Sequence, residues 1–322
     1  MKIGLYSITY RGVWYGAQGM DVFAITKLAK QQGWEGVEYD CDRPHLAPMD
    51  FSADDRKRLR DLAGELSLPI SAVSPNCDLS SPISTQREAM ISYVGECIKL
   101  TRDVGSPICK IFAAWRGITV HDGHGTYEDT RKFEQYRFWR KDRRQFVVDA
   151  LRELSKLAQD HGVVLAMQNH GPDIINSGDE TLDLIQEVGH PALKACIDIS
   201  IEPAPTSADE ARRIVKKAGK AEVHTHYNGE FGRHPDGSVE LLGGGYYNET
   251  FWGRKVAYPE FVAALVETGY TGFMNWEYCH TAKRDGKLAG IEYVHEQTQM
   301  ALEYMKGLRA SAQKELTATA SR

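Results

Sequence analysis

From its start almost to its end the chain alternates short apolar runs with stretches whose apolar residues recur every three to four positions. KIGLYSITY is followed by DVFAITKLAKQQG, GVEYD by DDRKRLRDLAGELS, and PISAVS by TQREAMISYVGECIKLTRDVG. The short runs have the length and β-branched content of strands, and the longer periodic stretches that of amphipathic helices. The pattern continues through PICKIFAA, a helical stretch from about Arg143 to His161, VVLAMQNH, a helix from about Asp179, and ACIDIS. After these come a helix from about Ala208, EVHTHYN, a helix from Tyr258 to about Glu267, FMNWEY and a last helix. Eight strand-then-helix units predict an α/β fold of the (β/α)8 TIM barrel type.

The alternative for such a pattern is a doubly wound sheet. It would usually hold fewer strands, and no GxGxxG opens the first unit and no GxxxxGK[ST] occurs anywhere. At 322 residues and 42% hydrophobic the chain has enough material for one barrel with insertions. Residues 1–308 are therefore predicted to form a single barrel domain. The segment 309–322, ASAQKELTATASR after its first arginine, has no apolar face and is expected to be a mobile tail or an interface arm.

A net charge of −5 and a pI near 6.1 give no basic footprint for nucleic acid. The N-terminus reads directly as a strand, without the apolar core and small-residue cleavage site of a secretory signal, and no run is long enough to span a membrane. A cytoplasmic protein with no nucleic-acid or membrane partner is expected. Six cysteines, Cys41, Cys77, Cys97, Cys109, Cys196 and Cys279, are scattered without a CxxC pair and read as reduced core residues.

Four polar residues interrupt the last four strand-like runs: Gln168 in VVLAMQNH, Asp198 in KACIDIS, His224 in AEVHTHYN and Glu277 in GFMNWEY. Burying such a group costs several kcal/mol, roughly, unless a partner or a cation compensates it. For any one of them a satisfied hydrogen bond is the commoner explanation. Four at the ends of four successive strands, where barrels of this kind carry their active sites, point to one shared cation. An oxygen-rich ligand set of this kind suits Mn²⁺, with Mg²⁺, Co²⁺ or Zn²⁺ as alternatives, and it points to chemistry on hydroxyls and carbonyls.

Side chains two apart on a strand share a face, so His170 sits beside Gln168 and His226 beside His224, as substrate contacts or supports for the ligands. The loop after the second strand, YDCDRPHLAPMD, brings Asp40, Arg43 and His45 to the same barrel mouth, although Arg43 could equally close a surface ion pair. Two connections are unusually long, roughly Ala114 to Arg140 after strand four and Asn228 to Ala257 after strand seven. The first carries Trp115, Arg116, His121 and His124, and the second carries Tyr246 and Trp252 in a glycine-rich run. Such loops suit a lid on a ring-shaped ligand or a contact in an oligomer, which is also expected. His121 and His124, with near-neutral reference pKa values, are candidate acid or base groups, although loop histidines are usually just solvated.

Together these motifs resemble the xylose isomerase-like TIM barrels, the superfamily of sugar phosphate isomerases and epimerases, over nearly the whole chain to about residue 305. The resemblance implies one divalent cation held by residues ending strands five to eight, here Gln168 of MQNH, Asp198 of IDIS, His224 of VHTHY and Glu277 of NWEY. The family pattern has glutamate at the first of these. An amide can lend its carbonyl oxygen to a metal but cannot carry a proton, so the site reads as one-sided, with Glu277 as a base.

SITYRGVWYG, EYDCDRPHLAPMD and the histidine-bearing loop also resemble the larger subunit of bacterial C-glycoside deglycosidases. That resemblance implies a carbon–carbon lyase working with a small β-rich partner subunit. Proton removal beside a sugar ketone would be followed by β-elimination of the aglycone from a 3-oxo-C-glycoside, with His121, His124 or Glu277 as acid and base. The alternatives are a sugar or sugar-phosphate isomerase or epimerase acting through an enediolate, and a non-catalytic sugar-binding barrel.

Overall fold

Eight parallel strands close into a barrel in strict chain order, each neighbour on the sheet being a neighbour in sequence. The strands are β1 (Lys2–Tyr6), β2 (Val37–Asp40), β3 (Ile70–Ser74), β4 (Ile108–Ile111), β5 (Val164–Gln168), β6 (Leu193–Cys196), β7 (Glu222–Tyr227) and β8 (Phe273–Trp276). Outside them pack α1 (Val22–Gln32), α2 (Ala53–Glu65), α3 (Ser84–Asp103), α4 (Arg140–Asp160), α5 (Gly178–Val188), α6 (Ala208–Ala218), α7 (Tyr258–Glu267) and α8 (Ile291–Ala320). The structure, a computed structural model, describes residues 1–115, 117–121, 124–126, 140–171, 174–204, 206–243, 256–284 and 287–320.

Local chemistry sets the helix ends. Asp21 accepts hydrogen bonds from the N–H groups of Phe23 and Ala24 to start α1, and Gly33, at φ 85°, ends it. Ser52 and Asp55 form a reciprocal capping box on α2, and Ser177 and Ser207 cap α5 and α6. Each cap fixes where a helix begins, and so how its loop delivers the preceding strand end to the barrel mouth.

The barrel interior is polar at mid-height. Glu38 of β2, Ser71 of β3, His224 of β7 and Asn275 of β8 are all buried, and Asn275 Nδ2 donates to both Glu38 Oε2 and Ser71 Oγ at 2.8 Å. Room for Asn275 comes from Gly4, its register partner on β1, where an added Cβ would lie 2.0 Å from Asn275 Oδ1. The apolar core lies between the strands and the helices. All six cysteines are buried and free, and Cys279 sits past β8 at the mouth, its Sγ 3.7 Å from Glu277 Oε2.

Residues 309–320 continue α8 as helix, and Arg309 ties it to the barrel floor through Glu35 at 2.7 and 2.8 Å and the carbonyl of Met1 at 3.1 Å. Of the long connections, the described parts are two hairpins. Thr119–His121 pairs with His124–Thr126, and Glu230–Arg233 pairs with Val239–Gly243 and docks on α8 through Gln297 and Phe231. No helix among the described residues is long and apolar enough to cross a membrane.

Candidate metal centre

Asp198 is the second residue past β6, at the start of a short helical turn. Its Oδ1 accepts from the N–H and hydroxyl of Ser200 at 2.8 and 2.5 Å, which leaves Oδ2 buried with no hydrogen-bond partner among the described residues. Glu277 follows β8 directly, and its Oε2 lies 3.4 Å from Nδ1 of His226. One ligand atom each from Asp198, His226 and Glu277 falls within 4.8 Å of the others, all three residues being buried. On the strand beside Asp198, Gln168 holds its amide oxygen buried and without a partner among the described residues.

The orphaned atoms Asp198 Oδ2 and Gln168 Oε1, with His226 Nδ1 facing Glu277, answer whether a cation fits. A buried polar atom without a partner is uncommon, and a donor set of carboxylate, imidazole and amide oxygens meeting at a barrel mouth is what a divalent ion would satisfy. Electrostatics agree. Burial, and then the charge of Glu277, push the Asp198 carboxyl up to about 7. Burial opposes charge on His226, but Glu38 and then Glu277 outweigh it and raise that ring to about 10. The charge of Glu277 raises the cost of the Asp198 charge in a dry site, and a cation shared by the two carboxylates would relieve it.

Below this cluster lies a second one. Glu38 Oε2 is 2.8 Å from Nε2 of both His224 and His226, and Ser74 donates to Glu38 Oε1 at 2.5 Å. Burial works against the Glu38 charge, but the two imidazoles outweigh it and hold the carboxyl well below its ordinary range. Glu38, His224 and His226 also satisfy the geometry of a candidate cation group. His226 therefore bridges two layers, and its ring stacks on Tyr6 at 5.3 Å.

Residues 26–306 match the profile of the family described as Xylose isomerase-like TIM barrel. The chain belongs to that family. Among solved structures, this xylose isomerase-like barrel is similar to a D-psicose 3-epimerase with D-tagatose from Clostridium cellulolyticum H10 (TM-score 0.70, 16% identity, 96% of this chain and 99% of that one). It is similar also to an L-ribulose 3-epimerase (0.69, 17%, 100% and 98%) and to an apo 3-keto-D-glucoside 4-epimerase from E. coli (0.64, 16%, 94% and 99%). No curated protein matches the chain.

Within this family barrel, the residues singled out from sequence divide clearly. Asp198 and Glu277 meet, but the histidine between them is His226, two residues beyond the expected His224, which sits one layer down on Glu38. The register explains the exchange: His224 pairs with Phe273 and His226 with Asn275, the last inward position before Glu277. Arg43 is 68% exposed and holds Asp50 through two bonds of 2.6 Å, so it forms the surface pair. The arginine at Asp40 is instead Arg11, 3.0 Å away, and His45 is buried beside them against Ser7. Burial, offset in part by Arg11, pushes Asp40 up to about 7.

His170 lies at the mouth, its ring 4.0 Å from that of Trp115 and edge-on to Phe112. Desolvation drives its pKa down to about 4, so it is a neutral ring that feels the charge of Glu277. Arg116, Tyr246 and Trp252 lie outside the described residues. His121 and His124 are register partners in their hairpin, with side chains outside the described set. Sequence reasoning missed Glu38, Arg11, Tyr6 and Lys110. Glu38 in GVEYD and Lys110 in PICKIFAA carried the same signal as the four residues above, a charge inside an apolar run.

Proposed function

We propose that this protein is a divalent-cation-dependent keto-sugar isomerase or epimerase, moving a proton on the carbon beside a sugar ketone. The observation that carries the reading is the buried meeting of Asp198, His226 and Glu277 at the barrel mouth, with Gln168 Oε1 on the neighbouring strand unpartnered among the described residues. Support for the substrate class comes from the similar barrels, which act on ketoses and on a 3-keto-glucoside by their descriptions. A cation held by Gln168, Asp198, His226 and Glu277, Mn²⁺ best and Mg²⁺, Co²⁺ or Zn²⁺ as alternatives, would polarise the ketone and ease negative charge onto its oxygen.

The chain's own groups do the rest. Glu277 is the carboxylate that takes the proton, and Asp198, fixed by Ser200, holds its free oxygen toward the same point. Trp115 and His170 offer an apolar wall for one face of a sugar ring, and Asp40 with Arg11 offers hydrogen bonds at the other side of the mouth. On the sequence reading, Arg116, His121, His124, Tyr246 and Trp252 are further groups proposed to act on the substrate.

A second reading has one specific observation behind it. Gln168 cannot return a proton from the opposite face, and an intermediate that is not reprotonated there can expel a β-substituent. The reaction would then be C-deglycosylation of a 3-oxo-C-glycoside, with a small β-rich partner subunit. NMR of the Mn²⁺-loaded protein in D₂O separates the two. Deuterium entering beside the ketone of D-fructose, D-psicose or a 3-keto-glucoside without bond cleavage supports the isomerase or epimerase. Release of a phenolic aglycone from a 3-oxo-C-glucoside, with or without a co-encoded small subunit, supports the lyase. No exchange into any of these overturns both and leaves a sugar-binding barrel.

A further inference from the structure

Lys110 of β4 is buried, with 1% of its surface exposed. Strand parity turns it inward, because its neighbour Cys109 lies against Cys97 and Thr101 of α3 on the outer side. Its ammonium rests 4.1 Å from the ring centre of Phe112 and 5.1 Å from that of Tyr6. Among the described residues it makes no hydrogen bond and no ion pair. Ring faces hold a cation but do not neutralise it. The buried Asp40 feels the Lys110 charge but closes no ion pair with it, and a lysine buried without a paired carboxylate is costly to folding unless a ligand supplies the missing partner.

Its position narrows the ligand. Around the barrel β4 is four strands from β8, so Lys110 and Glu277 stand on opposite walls. His170 and Cys279 each feel both charges, which places both groups around the same space. On the adjacent strand Lys110 is the register partner of Ala166, one inward position below Gln168. A glutamate at 168 would add a negative charge one inward position above the lysine's register partner, whereas the amide adds none. A single ammonium suits one anionic oxygen, since phosphate recognition favours forked or multiple donors.

We propose that Lys110 is a substrate-contacting residue whose ammonium receives the oxyanion formed when the keto-sugar enolises, and that the amide at Gln168 is what keeps it free to do so. The inference rests on the enolising function proposed above. Glu277 takes the proton, the C–H electron pair becomes the carbon–carbon double bond, and the carbonyl π pair moves onto oxygen as the charge that Lys110 meets. Reprotonation reverses each of these movements, so no oxidant or further reactant is needed.

The test uses Mn²⁺-loaded wild type, Lys110→Met and Lys110→Gln, with oxalate as a planar dianionic probe measured by calorimetry. The expected result is oxalate binding weakened by about tenfold to hundredfold in both variants, with Mn²⁺ affinity unchanged. Melting temperature should be equal or higher in Lys110→Met, where an apolar stem replaces a buried charge. Deuterium exchange into ketose should lose kcat with little change in KM. Unchanged oxalate affinity, or a melting temperature that falls together with Mn²⁺ binding, would assign Lys110 a structural role and overturn the proposal. Oxalate binding that depends on Lys110 in a wild type showing no exchange into any keto-sugar would instead overturn the enolising function while leaving the anion contact intact.

Discussion

Glu38 Oε2 lies 2.8 Å from Nε2 of His226, so the ring is anchored on its lower side and presents Nδ1 toward Glu277. A metal-binding imidazole is commonly oriented this way, by a carboxylate on its far nitrogen that also raises its basicity. Because His224 leans on the same oxygen, Glu38 sets the position of both rings at once.

Glu38→Gln should therefore weaken Mn²⁺ binding by about tenfold to hundredfold without removing any proposed ligand. His226→Ala should lose more affinity than His224→Ala, because only His226 shares a group with Asp198 and Glu277. Titration of Mn²⁺ followed by electron paramagnetic resonance measures all three. Equal losses in the two histidine variants would return His224 to the ligand set.

Proton release on metal binding should follow from the raised pKa values. In the metal-free protein Asp198 titrates near 7 and His226 near 10, and both must be deprotonated to bind a cation. Between pH 7 and 10 about one proton leaves per ion, and affinity gains about tenfold per pH unit. Below pH 7 the release approaches two, with a steeper gain. Calorimetry in buffers of different ionisation enthalpy reads the proton count directly, and release independent of pH would contradict this electrostatic picture.

Much of this was legible beforehand, and the boundary between what was and was not has a physical basis. The eight-unit alternation is local, and so is strand parity. Asp198, Glu277 and Gln168 could therefore be assigned to the mouth from their own runs. Height along the barrel is not local, because it is set by the register between strands, and His224 and His226 share parity while differing in height. Arg11 and Arg43 present a similar problem: both lie in loops at the mouth, and only the folded loop path decides which reaches Asp40. Lys110 was visible as a charge in PICKIFAA, but nothing in the sequence says that no carboxylate among the described residues pairs with it.

Arg309 gives a prediction about the end of the chain. Its guanidinium joins α8 to Glu35 and to the carbonyl of Met1. The pair is partly exposed, so Arg309→Ala should cost only up to about 1 kcal/mol. Truncation after residue 308 should cost more, since it also removes Ala312, which is buried against the core. Urea unfolding of the two variants would show this order. A truncated chain as stable as the full one would mean that the final turns contribute nothing to the barrel.

Gly4 tests whether the polar mid-layer is built to close tolerance. An alanine there would put its Cβ 2.0 Å from Asn275 Oδ1 and 3.2 Å from the carbonyl of Gly36, and the backbone contact cannot move aside. Overpacking of this kind costs about 1–3 kcal/mol. The displaced group is Asn275, which donates to Glu38, so the disturbance should also reach His226 and weaken Mn²⁺ binding. Asn275→Ala would remove the clash but leave Glu38 short of a donor. The double variant should then be more stable than the sum of the single losses, with metal affinity still reduced. Additive losses would mean that Gly4 and Asn275 act separately and that the mid-layer does not hold the histidines in place.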